Sequence, residues 1–205
     1  MLIAASLRAI PGLFALVGAA VLAAAVAAAQ HDHIPPLEQR VFRRVNRLPD
    51  WLYGVLWLPM QYGNLAVGTA VGVAVGLALG EPAIAIAVVL AAVAKLVVEK
   101  SIRKRMAGFA EVRQRPGTSE PDAITRGADV PTKGASFPSG HVILAAAVST
   151  VLSSAVDPAW AALPWAITAM VIVGRVYVGA HNPLDVTAGL GAGMVIGGVL
   201  DMLLR

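Results

Sequence analysis

The chain contains no cysteine, which removes disulfides and thiolate metal sites from consideration and leaves no redox signature to read. Charge is nearly as scarce. Only 14% of the 205 residues are Asp, Glu, Lys or Arg, against 58% hydrophobic. A water-soluble domain carries about 25% charged residues, so an ordinary soluble enzyme is excluded. Aromatic residues make up only 5%, and acidic residues number 12 against 16 basic ones. The resulting net charge of +4 matters less than where the charges lie. Nucleic acid is not an expected partner.

What is abundant is uninterrupted apolar sequence. A membrane-crossing helix takes roughly 20 apolar residues, and such stretches occur at 7–29, 62–79, 82–98, 141–156, 159–178 and 184–204. They predict an all-α polytopic membrane protein with six transmembrane helices, forming a single membrane-embedded domain over residues 1–205. The first run exceeds the roughly 7–15 apolar residues of a signal peptide and reads as a retained helix. Residues 36–50 gather Leu37, Val41, Val45 and Leu48 on one face, with Arg40, Arg43, Arg44 and Arg47 around the rest. That pattern predicts a helix lying in the membrane interface, followed by Trp51, Tyr53 and Trp57 at headgroup depth. Glycines recur at every fourth residue, at Gly68, Gly72, Gly76 and Gly80 and at Gly189, Gly193 and Gly197. This spacing lets helices approach closely in lipid, and it also offers a route to a homo-oligomer.

Six spans put both termini on one side of the membrane, and the charges then sort unevenly. Fourteen of the 16 basic residues, nine of the 12 acidic ones and all four histidines fall on the side away from the termini. Arg8 and Arg205 are the two exceptions among the basic residues. The positive-inside rule places the rich side in the cytoplasm, so a multi-pass cell-membrane protein with a cytoplasmic functional face is expected. The basic run from Lys95 to Arg105 suits anionic headgroups. His31-Asp32-His33 reads as a solvated loop rather than a metal site, and no carboxylate cluster suggests a metal.

Three short segments border the rich-side loops. The first is Arg113-Gln114-Arg115-Pro116. In the second, Pro138-Ser139-Gly140-His141, Ser139 is a good helix N-cap and Gly140 admits close approach of a ligand to the backbone. The helix start that follows is an anion site, with His141 beside it as a titratable proton donor. In the third, Arg175 precedes His181-Asn182-Pro183-Leu184-Asp185. Asn182 can cap a helix whose first position suits Pro183. Asp185 then lies one turn from His181, where a carboxylate on one ring nitrogen leaves the other free to attack. Arg175, at the end of an apolar span, is costly there unless it serves a function.

These segments resemble the signature of the type 2 phosphatidic acid phosphatase (PAP2) superfamily, written K-x6-R-P, P-S-G-H and S-R-x5-H-x3-D. The second matches in full, and the third matches except that Gly174 stands for serine. The first matches only at Arg115-Pro116, with Gly108 at the lysine position. Lys104 is the nearest upstream lysine and the expected replacement, with Arg113 as an alternative source of the charge. The resemblance implies a PAP2/haloperoxidase-like helical core and metal-independent hydrolysis of a phosphate on a membrane lipid, without a cofactor. It implies His181 as nucleophile, Asp185 as its orienting carboxylate and His141 as general acid. Arg115, Arg175, Ser139, Gly140 and Lys104 would hold the phosphate. A lipid phosphotransferase, a non-catalytic lipid-binding or transport protein and a haloperoxidase are the alternatives. The spans argue against the last, which is soluble.

Overall fold

The computed structural model describes residues 11–30, 34–107, 113–128 and 130–204. Among them the chain forms nine helices: α1 (Pro11–Ala28), α2 (Pro36–Asn46), α3 (Leu52–Gln61), α4 (Leu65–Ala78), α5 (Pro82–Met106), the single turn α6 (Pro116–Ser119), α7 (Gly140–Ala155), α8 (Leu163–Tyr177) and α9 (Pro183–Leu204). The all-α class is as expected. Helices α1, α5 and α9 are long and apolar enough to cross a membrane. Helices α4, α7 and α8 run only 14, 16 and 15 residues, roughly 21–24 Å at 1.5 Å per residue. Helix α4 starts later than the apolar run suggests because Asn64 caps it, accepting from the backbone N–H groups of Ala66 and Val67.

The core centres on α7, in which all but a few residues are buried. Glycine explains how α9 fits beside it. Gly189, Gly193 and Gly197 face α7, while Gly191 and Gly198 face α1. A Cβ at position 197 would lie 2.6 Å from the Ala147 carbonyl oxygen, and one at 191 would lie 2.6 Å from the Leu22 amide nitrogen. On α4, Gly68, Gly72 and Gly76 are likewise packed against Tyr62, Val88, Val148 and Ala85. Both glycine faces are therefore filled within the chain itself. Gly80 differs: it has φ +71° and nothing near it, as suits a residue ending a helix.

The predicted interfacial helix is present but ends at Asn46 rather than at 50. Its inner side is Phe42 and Asn46, each 1% exposed, whereas Leu37 and Val41 face outward. The reason is a buried polar clamp. Asn46 Nδ2 donates to the carbonyls of Ile124 (2.8 Å) and Tyr177 (2.9 Å), and its Oδ1 accepts from the Ile124 N–H. After α2 the chain turns into α3, a separate helix that the apolar pattern did not resolve, with Trp51 and Trp57 exposed and Tyr53 partly buried.

The connection between α5 and α7 folds back as a cap over one end of the bundle. Gln114 pairs with Ala135 in an isolated antiparallel bridge, and Arg115 N–H donates to Gly134 O. Arg126 fastens the cap to α2 and α8 through Asp50, the Asn46 and Tyr177 carbonyls and the Tyr177 ring face, 4.3 Å away. Gly179 makes this possible. It has φ +76°, and a Cβ there would lie 2.7 Å from Ile124 O, so only glycine fits.

Candidate active site

The α8–α9 turn builds the site from the inside. The Arg175 carbonyl accepts from the N–H groups of Ala180 and His181, folding the chain back on α8. Pro183 opens α9, as its fixed φ favours. Asp185 sits one turn in and accepts from the Asn182 backbone N–H at 2.8 Å through Oδ2. This is the carboxylate half of a capping box. Asn182 was expected to cap through its side chain, but the cap comes instead from Asp185. The same Oδ2 faces His181 Nδ1 at 3.7 Å, with both side chains buried. That distance exceeds a formed hydrogen bond, but catalytic contacts of this type tighten when substrate binds.

Ser139 lies where expected, before α7, yet its hydroxyl caps nothing. Its N–H donates to the Asp185 carbonyl at 3.0 Å, tying the starts of α7 and α9 together. Its Oγ is buried without a hydrogen-bond partner among the described residues. Arg115 is 8% exposed and donates from Nη1 to Ala180 O at 2.8 Å. Among the described residues it makes no ion pair with a carboxylate. Arg175 is also buried, and both guanidiniums lie within electrostatic reach of His181 and His141. Burial pushes the His181 pKa below its ordinary value. Asp185 opposes that shift, while Arg175 and Arg115 add to it. The ring is therefore neutral at physiological pH, the form a nucleophile needs. A narrow cleft lined by Tyr53, Trp57, Gln61, Asn64 and Arg126 reaches His141 and Arg175.

The first motif is where expectation and structure part. Lys104 is exposed. It stands nine residues from Lys95, two and a half helical turns, and so on the opposite face of α5. The site-facing residues are Lys95, Glu99 and Arg103, spaced four apart. Glu99 pairs with Lys95 at 2.7 Å and with Arg103 at 2.6 Å. A Cβ on Gly140 would touch Glu99 and lie 2.9 Å from Lys95 Cε, which shows how closely this array abuts the start of α7. The four-residue repeat was visible in the sequence as a possible single face. Arg113 does not supply the missing charge either, because it is spent on Glu38 and Asp185. Glu38 had no sequence signal beyond its place on α2. Gly108 and His31-Asp32-His33 lie outside the described residues, and no metal-binding cluster occurs among the described ones.

Gly174 has a steric explanation. A Cβ there would lie 2.6 Å from Met60 Cγ and 2.7 Å from its sulfur. Met60 of α3 fills the space a serine side chain would take.

The family model of the PAP2 superfamily matches residues 82–201. The chain belongs to the PAP2 superfamily. Membership carries an enzyme class with it: this is a membrane-embedded phosphatase of the PAP2 type. Two solved structures share the fold. LpxE of Aquifex aeolicus is 21% identical with a TM-score of 0.70, covering 82% of this chain and 96% of that one. A transmembrane PAP2-type phosphatidylglycerolphosphate phosphatase from Bacillus subtilis is 16% identical with a TM-score of 0.71, covering 95% of each chain. Comparison with curated proteins yields no match.

Proposed function

We propose that the chain hydrolyses a phosphate monoester or pyrophosphate carried by a membrane lipid, through a phosphohistidine on His181. The carrying observation is a buried His181 whose Nδ1 faces the anchored Asp185 carboxylate, set beside a buried Arg115 with no carboxylate partner among the described residues. A buried guanidinium is costly without an anion, and a substrate phosphate would supply one.

In the first step His181 Nε2 attacks phosphorus, and the bond from phosphorus to the leaving oxygen breaks. His141 delivers a proton to that oxygen. In the second step His141 takes a proton from water, which attacks the phosphohistidine and releases inorganic phosphate. Arg115 and Arg175 bind the equatorial oxygens. The free Ser139 hydroxyl and the N–H groups at the start of α7 complete the cradle. Lys95 and Arg103, held by Glu99, take the place of the first-motif lysine. These fixed cations supply the charge stabilisation that a metal provides elsewhere. The cleft beside His141 and Arg175 admits the lipid headgroup past Trp57. Phosphatidate, phosphatidylglycerophosphate, polyprenyl pyrophosphate and polyprenyl-linked sugar phosphates are the candidates to assay. The cell membrane is the proposed location, with the site on the cytoplasmic face as the arginines of α2 favour.

The test is phosphate release from such lipids by detergent-solubilised protein. His181→Ala should abolish turnover with an unchanged melting profile, and wild-type activity should persist in EDTA. Chelator-sensitive activity that survives His181→Ala would sink the reading.

A further inference from the structure

One carboxylate built into the site belongs to none of the three motifs. Glu38, on α2, precedes the residues matched to the family. Its side chain is 9% exposed, and Oε1 accepts from Arg113 Nη2 and from the Leu184 N–H at 2.9 Å. Arg113, 4% exposed, donates from Nε to Asp185 Oδ1 at 3.2 Å. Asp185 faces His181 through its other oxygen. Glu38, Arg113, Asp185 and His181 thus form one continuous buried row, in which a carboxylate, a guanidinium and a second carboxylate lead to the imidazole.

The charges decide what the row does. An Asp185–Arg113 pair alone is neutral and offers little to a ring that becomes cationic when its other nitrogen is phosphorylated. Adding Glu38 returns the group to a net charge of −1 by simple addition (−1, +1, −1). Its bond to the Leu184 N–H also pins the first turn of α9, which carries Asp185. We propose that Glu38 is a charge-balancing and positioning residue for the His181–Asp185 pair. It compensates Arg113 so that Asp185 acts as an anion toward the imidazole. This rests on His181 being the nucleophile.

Glu38→Gln keeps the shape and an oxygen for both donors but removes the charge. A charge that reaches the reacting ring only through two intervening side chains is expected to change the rate roughly tenfold at an effective dielectric of about 20. The expected result is a kcat reduced about tenfold, with KM and melting temperature close to wild type. The acid limb of the pH profile should move lower, because His181 becomes harder to protonate. The other groups facing His181 stay in place: Asp185 on α9, Arg175 on α8, His141 on α7, and Arg113 and Arg115 on the cap. Glu38→Gln combined with Arg113→Gln removes one charge of each sign and should recover part of the lost kcat, and Glu38→Asp should retain more activity than Glu38→Gln.

Wild-type kcat and pH profile in Glu38→Gln, alongside an inactive His181→Ala, would overturn this inference and leave the proposed function standing. A double variant worse than either single one, with a lowered melting temperature, would make Glu38 a structural brace and also overturn it. An active His181→Ala would instead remove the mechanism beneath both.

Discussion

Asp185 holds two groups, the Asn182 N–H and the Arg113 guanidinium, and faces the His181 ring at 3.7 Å. Its position is therefore set before substrate arrives, and His181 needs only a small adjustment to engage it. Burial lowers the His181 pKa, and the sign of its effect on activity follows directly. The neutral ring attacks, so protonation inactivates, and a lowered pKa delays that loss as pH falls. We expect kcat/KM to hold from pH 7 down past the ordinary histidine value of about 6.5 before declining. A pH–rate profile in detergent measures this, and an acid limb well above that value would contradict it. The pairing of His181 with Asp185 was legible in the sequence from spacing alone. The role of Glu38 was not, because no local pattern joins α2 to α9.

At the scale of elements, the face of α5 is the informative case. Lys104 and Lys95 are both lysines on one helix, separated by two and a half turns, so they point in opposite directions. The motif spacing pointed to Lys104 because it counted back along the chain from Arg115. In the packing of α5 it is Lys95 that lies against Gly140. Lys95→Ala should raise KM or lower kcat by roughly 10- to 100-fold, the range for losing a charge-assisted contact. Lys104→Ala should leave both near wild type. Steady-state kinetics on the two variants decide between the faces. Gly174 makes a related point: the apparent gap in the third motif is a packing exchange, with Met60 of α3 occupying the serine's volume.

For the whole molecule, one end of the bundle carries the cap, the basic array and the cleft, and the α4–α5 and α7–α8 turns lie at the other. Ion pairs of Arg43 with Glu120 and of Arg47 with Asp122 fasten α2 to the cap, so part of the basic excess is structural as well as topological. Orientation can be measured directly, because the chain has no native cysteine. Lys133→Cys, exposed on the cap, and Asp157→Cys, exposed at the opposite turn, should differ in labelling by an impermeant thiol reagent on intact cells. A cytoplasmic site predicts labelling at 157 and protection at 133, and the reverse pattern would place catalysis outside.

Composition, apolar run length and three motifs in order were enough to determine an all-α membrane chain and to single out the histidines, arginines and aspartate that the fold brings together. Those are local quantities: hydropathy depends on neighbouring residues, and a turn-plus-helix motif carries its own geometry. The tertiary structure decided which basic residues of α5 meet the site, why position 174 is glycine, where α2 stops and what balances Arg113. Each of these depends on contacts between segments distant in the chain, where the volume of Met60, the clamp at Asn46 and the reach of Glu38 are set by how helices pack rather than by what lies beside them in sequence.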